Sequence, residues 1–243
     1  MTFQVIIRGR NCKKYLGACL ESLIEQYYTD WKATLILDHP SDGSEKIGME
    51  WASKDPRITL WVNKKRKGLA SNMWRGMKYA EAGPEDVIAW LDADDMLHER
   101  ALKIVALEYE KRPNLLATHG SYRRTDTKRR TKISKKYDKS KSVREQPWRG
   151  SHLKTFKYKL MKHFPKKYLK NSKKKWYDAA SDIALMLPIL ELAGLKRVKF
   201  IRKEIYKWRM TSQAIYKDKT GYRLQQRNKK EIYAKKPLKR VVF

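Results

Sequence analysis

Cysteine is nearly absent from this 243-residue chain, which contains only Cys12 and Cys19. The two residues lie seven positions apart on what the periodicity predicts to be one helix. That spacing is too wide for a disulfide, and two thiols are too few for a structural metal site. We therefore expect two reduced thiols and a fold that depends on its core. With 41% hydrophobic residues, the chain can bury the core of one sizeable domain.

Long hydrophobic runs are also missing. The longest, around Val87–Leu91 and Ile183–Leu192, fall well short of the roughly 20 residues that a membrane-spanning helix needs. The first eleven residues lack the charged and then apolar layout of a secretory signal, because their apolar run is only as long as a strand. These absences predict a soluble protein of the cytoplasm.

Acidic residues are scarce, and the scarcity is confined to one half of the sequence. The whole chain has 57 Lys and Arg against 26 Asp and Glu, a net charge of +31. Residues 1–120 hold 18 basic and 17 acidic residues, a net of +1, whereas residues 121–243 hold 39 and 9, a net of +30. A single basic run is often only a solvated surface. The asymmetry of the whole chain nevertheless predicts a polyanionic partner for the second half.

Short apolar runs recur at regular spacing in the first half and predict buried strands. Helical patterns over residues 13–26 and 69–83 separate some of them. Strands that alternate with helices predict a parallel sheet, whose ligands bind beyond the carboxyl ends of the strands. Asp38 and Asp92 each follow a run, so both are expected to face one crevice. The four runs are Phe3–Ile7, Ala33–Leu37, Ile58–Val62 and Val87–Leu91.

Carboxylates concentrate directly after the last of these runs. At the spacing Asp92-x-Asp94, two carboxylates can supply oxygen ligands to one hard divalent cation, and water and phosphate can fill the remaining positions. As a bare pattern, Asp-x-Asp is also typical of a capped helix start. The position behind a buried strand favours a site that binds a cation together with a diphosphate.

The order of these motifs resembles family 2 glycosyltransferases of the GT-A fold. The first half carries the resemblance in VIIRGRNCKKYLGACLESLIEQYYTDWKATLILDHPSDGS, NKKRKGLASNMWRGMKYA and WLDADD. The second half adds GSHLKTFKYKL, WYDAASDIALMLPILELAG and VKFIRKEIYKW, so that the matches span most of residues 3–208. The resemblance implies an α/β fold with a mostly parallel sheet flanked by helices. It also implies three segments: a nucleotide-sugar half over 1–125, an acceptor half over 126–215, and a basic helical C-terminal extension over 216–243.

Site roles follow from the resemblance position by position. Asp38 and Asn72 would contact the nucleotide, and Asp92 and Asp94 would hold manganese or magnesium on the diphosphate of a nucleotide-sugar donor, most simply a UDP-sugar. Asp182 would be the general base of an inverting transfer, with Asp178 as the reserve. The loop after Asp38 departs from the family because His39-Pro40-Ser41 stands where a second acid and Gly-Ser are usual. An Asp at position 182 is also what a plain helix N-cap would use.

The acceptor is predicted from the charge. A neutral glycan does not call for a net charge of +30 on the acceptor half, whereas a phosphate backbone does. Trp148, Trp176 and Trp208 stand among the basic residues, as in a nucleic-acid groove, although aromatic residues are also ordinary core. We therefore expect DNA carrying hydroxymethylated pyrimidines such as 5-hydroxymethylcytosine, as in a bacteriophage that modifies its genome in the host cytoplasm. The predicted acceptor-binding residues are Lys128, Arg129, Arg130, Lys135, Lys136, His152 and Lys154.

Two other functions stay open from the sequence alone. One is an enzyme that glycosylates a surface glycan or lipid at the cytoplasmic face of the membrane, since basic clusters also bind anionic lipids. The other is a non-catalytic nucleic-acid-binding protein that keeps the transferase fold. The intact Asp92-x-Asp94 and Asp182 argue against the second.

Overall fold

The four predicted strands form the first half of one β-sheet. In the computed structural model, which describes residues 1–126, 134–211 and 218–243, they are β1 (Phe3–Gly9), β2 (Trp31–Leu37), β3 (Ile58–Val62) and β4 (Val87–Asp92). They pair in parallel in the order β3-β2-β1-β4. β1, β2 and β4 are buried along almost their whole length, because helices cover both faces of the sheet. The parallel arrangement expected from the apolar runs is confirmed.

The remaining strands come from later in the sequence and extend the same sheet. They are β5 (Met96–Leu97), β6 (Ala117–Arg124), β7 (Thr155–Lys157) and β8 (Val198–Trp208), and the full order is β3-β2-β1-β4-β7-β6-β8-β5. β7 is antiparallel to both β4 and β6, and β5 is antiparallel to β8, whereas β6 and β8 are parallel. One sheet therefore connects the two charge-distinct halves of the sequence.

The helices that pack on this sheet are α1 (Lys13–Ile24), α2 (Ser44–Lys54), α3 (Leu69–Tyr79), α4 (Ala101–Glu110) and α5 (Ser181–Ala193), and α6 (Lys219–Ala234) packs against α5. The two helices predicted over 13–26 and 69–83 are α1 and α3. Cys12 precedes α1 and Cys19 lies within it; both are free and buried. In the described ranges, none of the helices has both the length and the apolar content needed to cross a membrane.

The second half is held together around α5, which is buried at every position except Asp182. Glu191, near its C-terminal end, forms a buried ion pair with Arg144. Arg144 also donates to the carbonyl oxygens of Ile232 and Tyr233 in α6, at 2.8 Å each. Because the charges are paired and hydrogen-bonded, their burial is tolerated. This contact fixes α6 against α5, and α5 begins at the candidate site.

Candidate active site

A cleft of about 580 Å³ opens at the carboxyl ends of β1, β2 and β4. Parallel strands direct their carboxyl ends to one edge of the sheet, so polar residues that follow different strands converge there. Residues from the second half, before β7 and at the start of α5, complete the wall. Seven of the residues predicted from the sequence line this cleft: Asp38, Asn72, Asp92, Asp94, His152, Lys154 and Asp182.

The other predicted residues lie elsewhere. Lys135 and Lys136 are exposed, and Lys136 lines a separate, smaller cavity. Lys128, Arg129 and Arg130 fall in 127–133, outside the described residues. Asp178, the reserve base, accepts a hydrogen bond from the backbone nitrogen of Leu69 at 3.2 Å, and so binds the first backbone N–H group of α3.

Asp92 is held by a cation that was not singled out from the sequence. Its Oδ1 accepts from Nε of Arg8 at 2.9 Å, and Arg8 also donates to the hydroxyl of Ser181 at 3.0 Å. Burial opposes ionisation of Asp92, but the positive charge of Arg8, helped by that of Lys154, outweighs it and lowers the pKa of this carboxyl. Asp92 therefore presents a carboxylate to the cleft near neutral pH.

Asp94 and Asp95 are in a different electrostatic position. Burial and then the charge of Asp92 raise the pKa of Asp94, whose Oδ2 accepts from the Thr211 hydroxyl at 3.2 Å. Asp95 is occupied structurally, since it accepts from the hydroxyl of Tyr206 and from the backbone nitrogen of Arg209, both at 2.7 Å. The neighbouring carboxylates repel one another, so a cation at Asp94 would relieve the repulsion.

The protein side chains alone do not complete the coordination of a cation at this site. Within the part of the chain that the structure describes, no three His, Cys, Asp or Glu side chains are grouped as metal ligands. Asp92 and Asp94 supply two oxygen ligands, which fits a Mg²⁺ or Mn²⁺ that takes its remaining ligands from water and a diphosphate. The residues present therefore fit a cation that binds together with its substrate.

Asp182 is linked to the Asp92 side of the cleft through the buried Lys154 and the partly buried His152. Lys154, whose side chain is 4% exposed, places Nζ 3.4 Å from Oδ2 of Asp182 and 3.1 Å from Nε2 of His152. Nε2 of His152 lies 3.9 Å from Oδ2 of Asp92. Burial, and then Lys154, lower the pKa of His152 to about 3. The imidazole is therefore neutral and accepts a hydrogen bond from the ammonium group.

The ionisation of Asp182 depends on this lysine. Burial opposes it, but Lys154, followed by His152 and Arg8, outweighs burial and lowers the pKa of Asp182. The helix begins at Ser181 and its N-cap residue is Ala180, so Asp182 lies in the first turn of α5 and is not the N-cap. A carboxylate there also interacts favourably with the helix dipole.

Asp38 is the centre of a hydrogen-bond network in another part of the cleft wall. Its oxygens accept from Nδ2 of Asn63 and from the backbone nitrogens of Lys67 and Gly68, at 2.8–2.9 Å. Asn63 also donates to Oδ1 of Asn72 at 2.8 Å. Burial raises the pKa of Asp38, but these hydrogen bonds outweigh burial and lower it. The network fixes residues 63–68 beside the cleft.

Sequence reasoning did not identify Arg8, Asn63 or Tyr206 as site residues. A signal existed for Arg8, because it lies one residue before the end of β1, in register with Asp92 on β4. The sequence contained no signal for Tyr206, because it lies more than a hundred residues from Asp92 and Asp95. Its hydroxyl reaches these two residues only because β8 pairs with the sheet.

Comparison with known proteins identifies the family. The model of glycosyl transferase family 2 matches residues 4–179, well over half of the chain. The putative glycosyltransferase EpsE of Bacillus subtilis is 32% identical over 119 residues, 49% of this chain and 39% of that protein. The minor teichoic acid biosynthesis protein GgaB of the same organism is 32% identical over 114 residues, 46% of this chain and 12% of that protein. The chain thus spans well under half the length of these relatives.

Solved structures show the same fold. S. aureus TarS 1–349 in complex with UDP-GlcNAc superimposes with a TM-score of 0.68 at 16% identity, covering 96% of this chain and 67% of that one. The Pyrobaculum calidifontis mannosyltransferase PcManGT, in complex with GDP-Man and Mn²⁺, gives 0.61 at 18% identity, covering 87% and 58%. The GT-A fold expected from the sequence is confirmed, and with the match over residues 4–179 the chain belongs to glycosyl transferase family 2.

Proposed function

We propose that this chain transfers a sugar from a nucleotide-sugar donor to a hydroxyl group, with Asp182 as the general base and Asp92 and Asp94 at the donor diphosphate. The observation that carries the proposal is the meeting of all three carboxylates in one cleft, although Asp92 and Asp94 lie at the end of β4 and Asp182 lies in the first turn of α5. Two of them are kept ionised by basic neighbours. This is the arrangement that an inverting transfer needs.

We propose that the nucleotide of the donor lies against the wall that Asp38 and Asn72 line. We propose a UDP-sugar, as in the complex of the structural neighbour TarS with UDP-GlcNAc, and a divalent cation, as in the complex of PcManGT with GDP-Man and Mn²⁺. A bound cation would supply positive charge to the diphosphate as it leaves. Asp92, oriented by Arg8, and Asp94 would hold it. Arg8 also adds a fixed positive charge at the same end of the cleft.

The acceptor hydroxyl would approach Asp182. Its oxygen forms a bond to the anomeric carbon while the bond from that carbon to the diphosphate oxygen breaks, and its proton passes to the Asp182 carboxylate. Lys154 keeps Asp182 ionised and therefore able to accept the proton. Attack from the face opposite the leaving group inverts the configuration, and no covalent enzyme intermediate forms.

We propose a hydroxymethylated pyrimidine in DNA as the acceptor. The support is the net charge of +30 over residues 121–243, which suits a phosphate backbone because each neutralised phosphate releases counterions. To expose a base hydroxyl, the enzyme must work in the major groove or flip the nucleotide.

A surface glycan is the second candidate acceptor, and the relation to GgaB favours it. The name of that relative assigns it to minor teichoic acid biosynthesis, and teichoic acids join polyol or sugar units through phosphodiesters. Such a polymer offers hydroxyl groups along a polyanion, and so suits the same charge. The non-catalytic alternative is the weakest, since the chain keeps all three carboxylates in the cleft.

A transfer assay separates these acceptors. The protein would be incubated with Mn²⁺, radiolabelled UDP-sugars and four acceptors: hydroxymethylated DNA, unmodified DNA, a polyol phosphate polymer and a neutral glycan. We expect label in hydroxymethylated DNA alone. Label in the polyol phosphate would establish the second candidate. If no acceptor is labelled by the unaltered protein, while UDP and DNA both bind, the transferase proposal fails.

A further inference from the structure

Beyond the C-terminal end of α5, two cavities of about 600 and 240 Å³ adjoin each other. They share Lys139 and Leu195 in their walls, so we treat the two together as one depression. The larger has the size of cavities that hold small organic groups. α5 begins at the reaction cleft and ends here, and its 13 residues make it about 18 Å long. This depression is therefore distinct from the cleft.

Its lining is strongly basic. We call it the distal basic groove and define it by six cationic side chains, none of which forms an ion pair with a carboxylate in the described ranges. Among the residues that the structure describes, the only carboxylate side chain in the two walls belongs to Glu191, which is already bound by Arg144 and by the backbone nitrogen of Leu238. The six are Lys136, Lys139, Lys141, Lys196, Arg197 and Arg240.

Two of these cations, Arg197 and Arg240, are fixed in place beside the C-terminal end of α5. Arg197 donates to the carbonyl oxygens of Ala193 and Val241, which fixes its guanidinium group. The side chain of Arg240 packs on Gly194, where a Cβ would lie 2.6 Å from its Cδ and where φ is +69°. Burial, and next the charge of Arg240, lower the pKa of Arg197. Like charges kept close without a counter-ion favour the binding of an anion.

The groove reaches towards the reaction cleft along β6. His119 lines its smaller cavity. The next residue, Gly120, packs so closely on the following loop that a Cβ would lie 3.0 Å from the carbonyl oxygen of His152, which is a residue of the cleft wall. Successive strand residues face opposite sides of a sheet, so β6 separates the near end of the groove from the cleft. A DNA strand that occupies both must therefore follow the surface between them over several nucleotides.

We propose that the distal basic groove binds the phosphodiester backbone of the acceptor DNA strand, several nucleotides from the base that enters the cleft. The proposal rests on the proposed function only for the identity of the acceptor. A combined cavity of this size accommodates a short stretch of one phosphodiester backbone. Its cations position the strand and carry no sequence information, as phosphate contacts generally do.

The test compares two sets of four substitutions of equal charge and type. The groove set is Lys139→Gln, Lys141→Gln, Lys196→Gln and Arg240→Gln; the control set is Lys173→Gln, Lys175→Gln, Lys219→Gln and Arg223→Gln. All eight side chains are exposed, so neither set should unfold the protein. Binding of a fluorescent single-stranded oligodeoxynucleotide would be measured by anisotropy over a series of salt concentrations.

We expect the groove set to lower the slope of log affinity against log salt by about 0.7 for each phosphate that the variant no longer neutralises, about 2 to 3 in total. The control set should leave the slope nearly unchanged. Equal effects of both sets, or no effect of the groove set, would overturn the proposal. Groove-dependent binding of a polyol phosphate polymer without binding of DNA would overturn DNA as the ligand.

Failure of the groove is distinguishable from failure of the proposed function. Transfer of sugar to a free hydroxymethylated nucleoside needs the cleft alone, so the groove set should leave its rate unchanged. If the unaltered protein binds DNA through the groove but transfers no sugar to any hydroxymethylated acceptor, the acceptor assignment is wrong while the groove stands as a phosphodiester site.

Discussion

Asp182→Asn keeps the size of the side chain but removes the carboxylate that we propose as general base. Loss of general base catalysis lowers a rate by at least about 100-fold, which corresponds to about 2.7 kcal/mol in the activation barrier. The substitution also leaves the ammonium group of Lys154, whose side chain is only 4% exposed, without its carboxylate. It therefore affects both turnover and stability, and the two effects must be measured separately.

The cost in stability can be bounded from the contacts. An unpaired buried charge costs about 3–5 kcal/mol, but the side chain of Asp182 is 34% exposed, and Lys154 keeps its hydrogen bond to His152. We therefore expect Asp182→Asn to lower the free energy of unfolding by about 1–3 kcal/mol. Adding Lys154→Met removes the unpaired ammonium group, so the double variant should recover most of this stability.

Turnover decides the role of Asp182. Steady-state transfer would be measured for Lys154→Met and for the double variant, with unfolding in urea followed in parallel. If Asp182 is the base, the double variant should turn over at least about 100-fold more slowly than Lys154→Met, while both bind the nucleotide equally. Equal turnover of these two proteins would show that Asp182 only neutralises Lys154, and would refute the assignment.

Three further predictions follow from the same contacts. Lys154→Met should raise the pKa of Asp182, so the acid limb of the pH–rate profile should move to higher pH; an unmoved limb would exclude Asp182 as the titrating base. Tyr206→Phe leaves Asp95 without its hydroxyl donor, so it should cost about 1–3 kcal/mol in unfolding free energy and raise the Mn²⁺ concentration needed for half-maximal activity. The buried Tyr109→Phe, which removes only a hydrogen bond to Thr155, should cost similar stability without the metal effect. Arg144→Met leaves Glu191 buried and unpaired, so it should cost about 3–5 kcal/mol in chemical denaturation, and a cost below about 1 kcal/mol would contradict the role of this pair.

The strands and helices of the first half could be predicted because their signals are local. Strands buried on both faces are continuous apolar runs, and α1 and α3 repeat their apolar residues at helical spacing. The antiparallel β7 and the two-residue β5 could not be predicted in this way. Each is too short for a period, and each exists because a neighbouring strand supplies its hydrogen bonds.

The site was predictable where one residue follows one strand, and not where it depends on distant contacts. Asp38, Asp92 and Asp94 could be placed from the strand ends and from the spacing of the last two, while Asn72 and Asp182 needed the family resemblance. Lys154 and His152, which lie between Asp182 and Asp92, were predicted to bind the acceptor. Nothing in the local sequence showed that Lys154 would be buried against Asp182. Net charge likewise predicted a polyanionic partner, but it did not indicate the distal basic groove at the far end of α5 that we propose as its binding site.

Binding of UDP measured by calorimetry tests the central claim most directly, because a cation held by Asp92 and Asp94 should link the protein to the diphosphate. The titration would be made with Mn²⁺ and with excess chelator, for the unaltered protein, Asp94→Ala and Asp182→Asn. We predict that UDP binds the unaltered protein and Asp182→Asn only when Mn²⁺ is present, and that Asp94→Ala does not bind it under either condition. Equal binding of UDP by Asp94→Ala, or undiminished binding in chelator, would contradict the account.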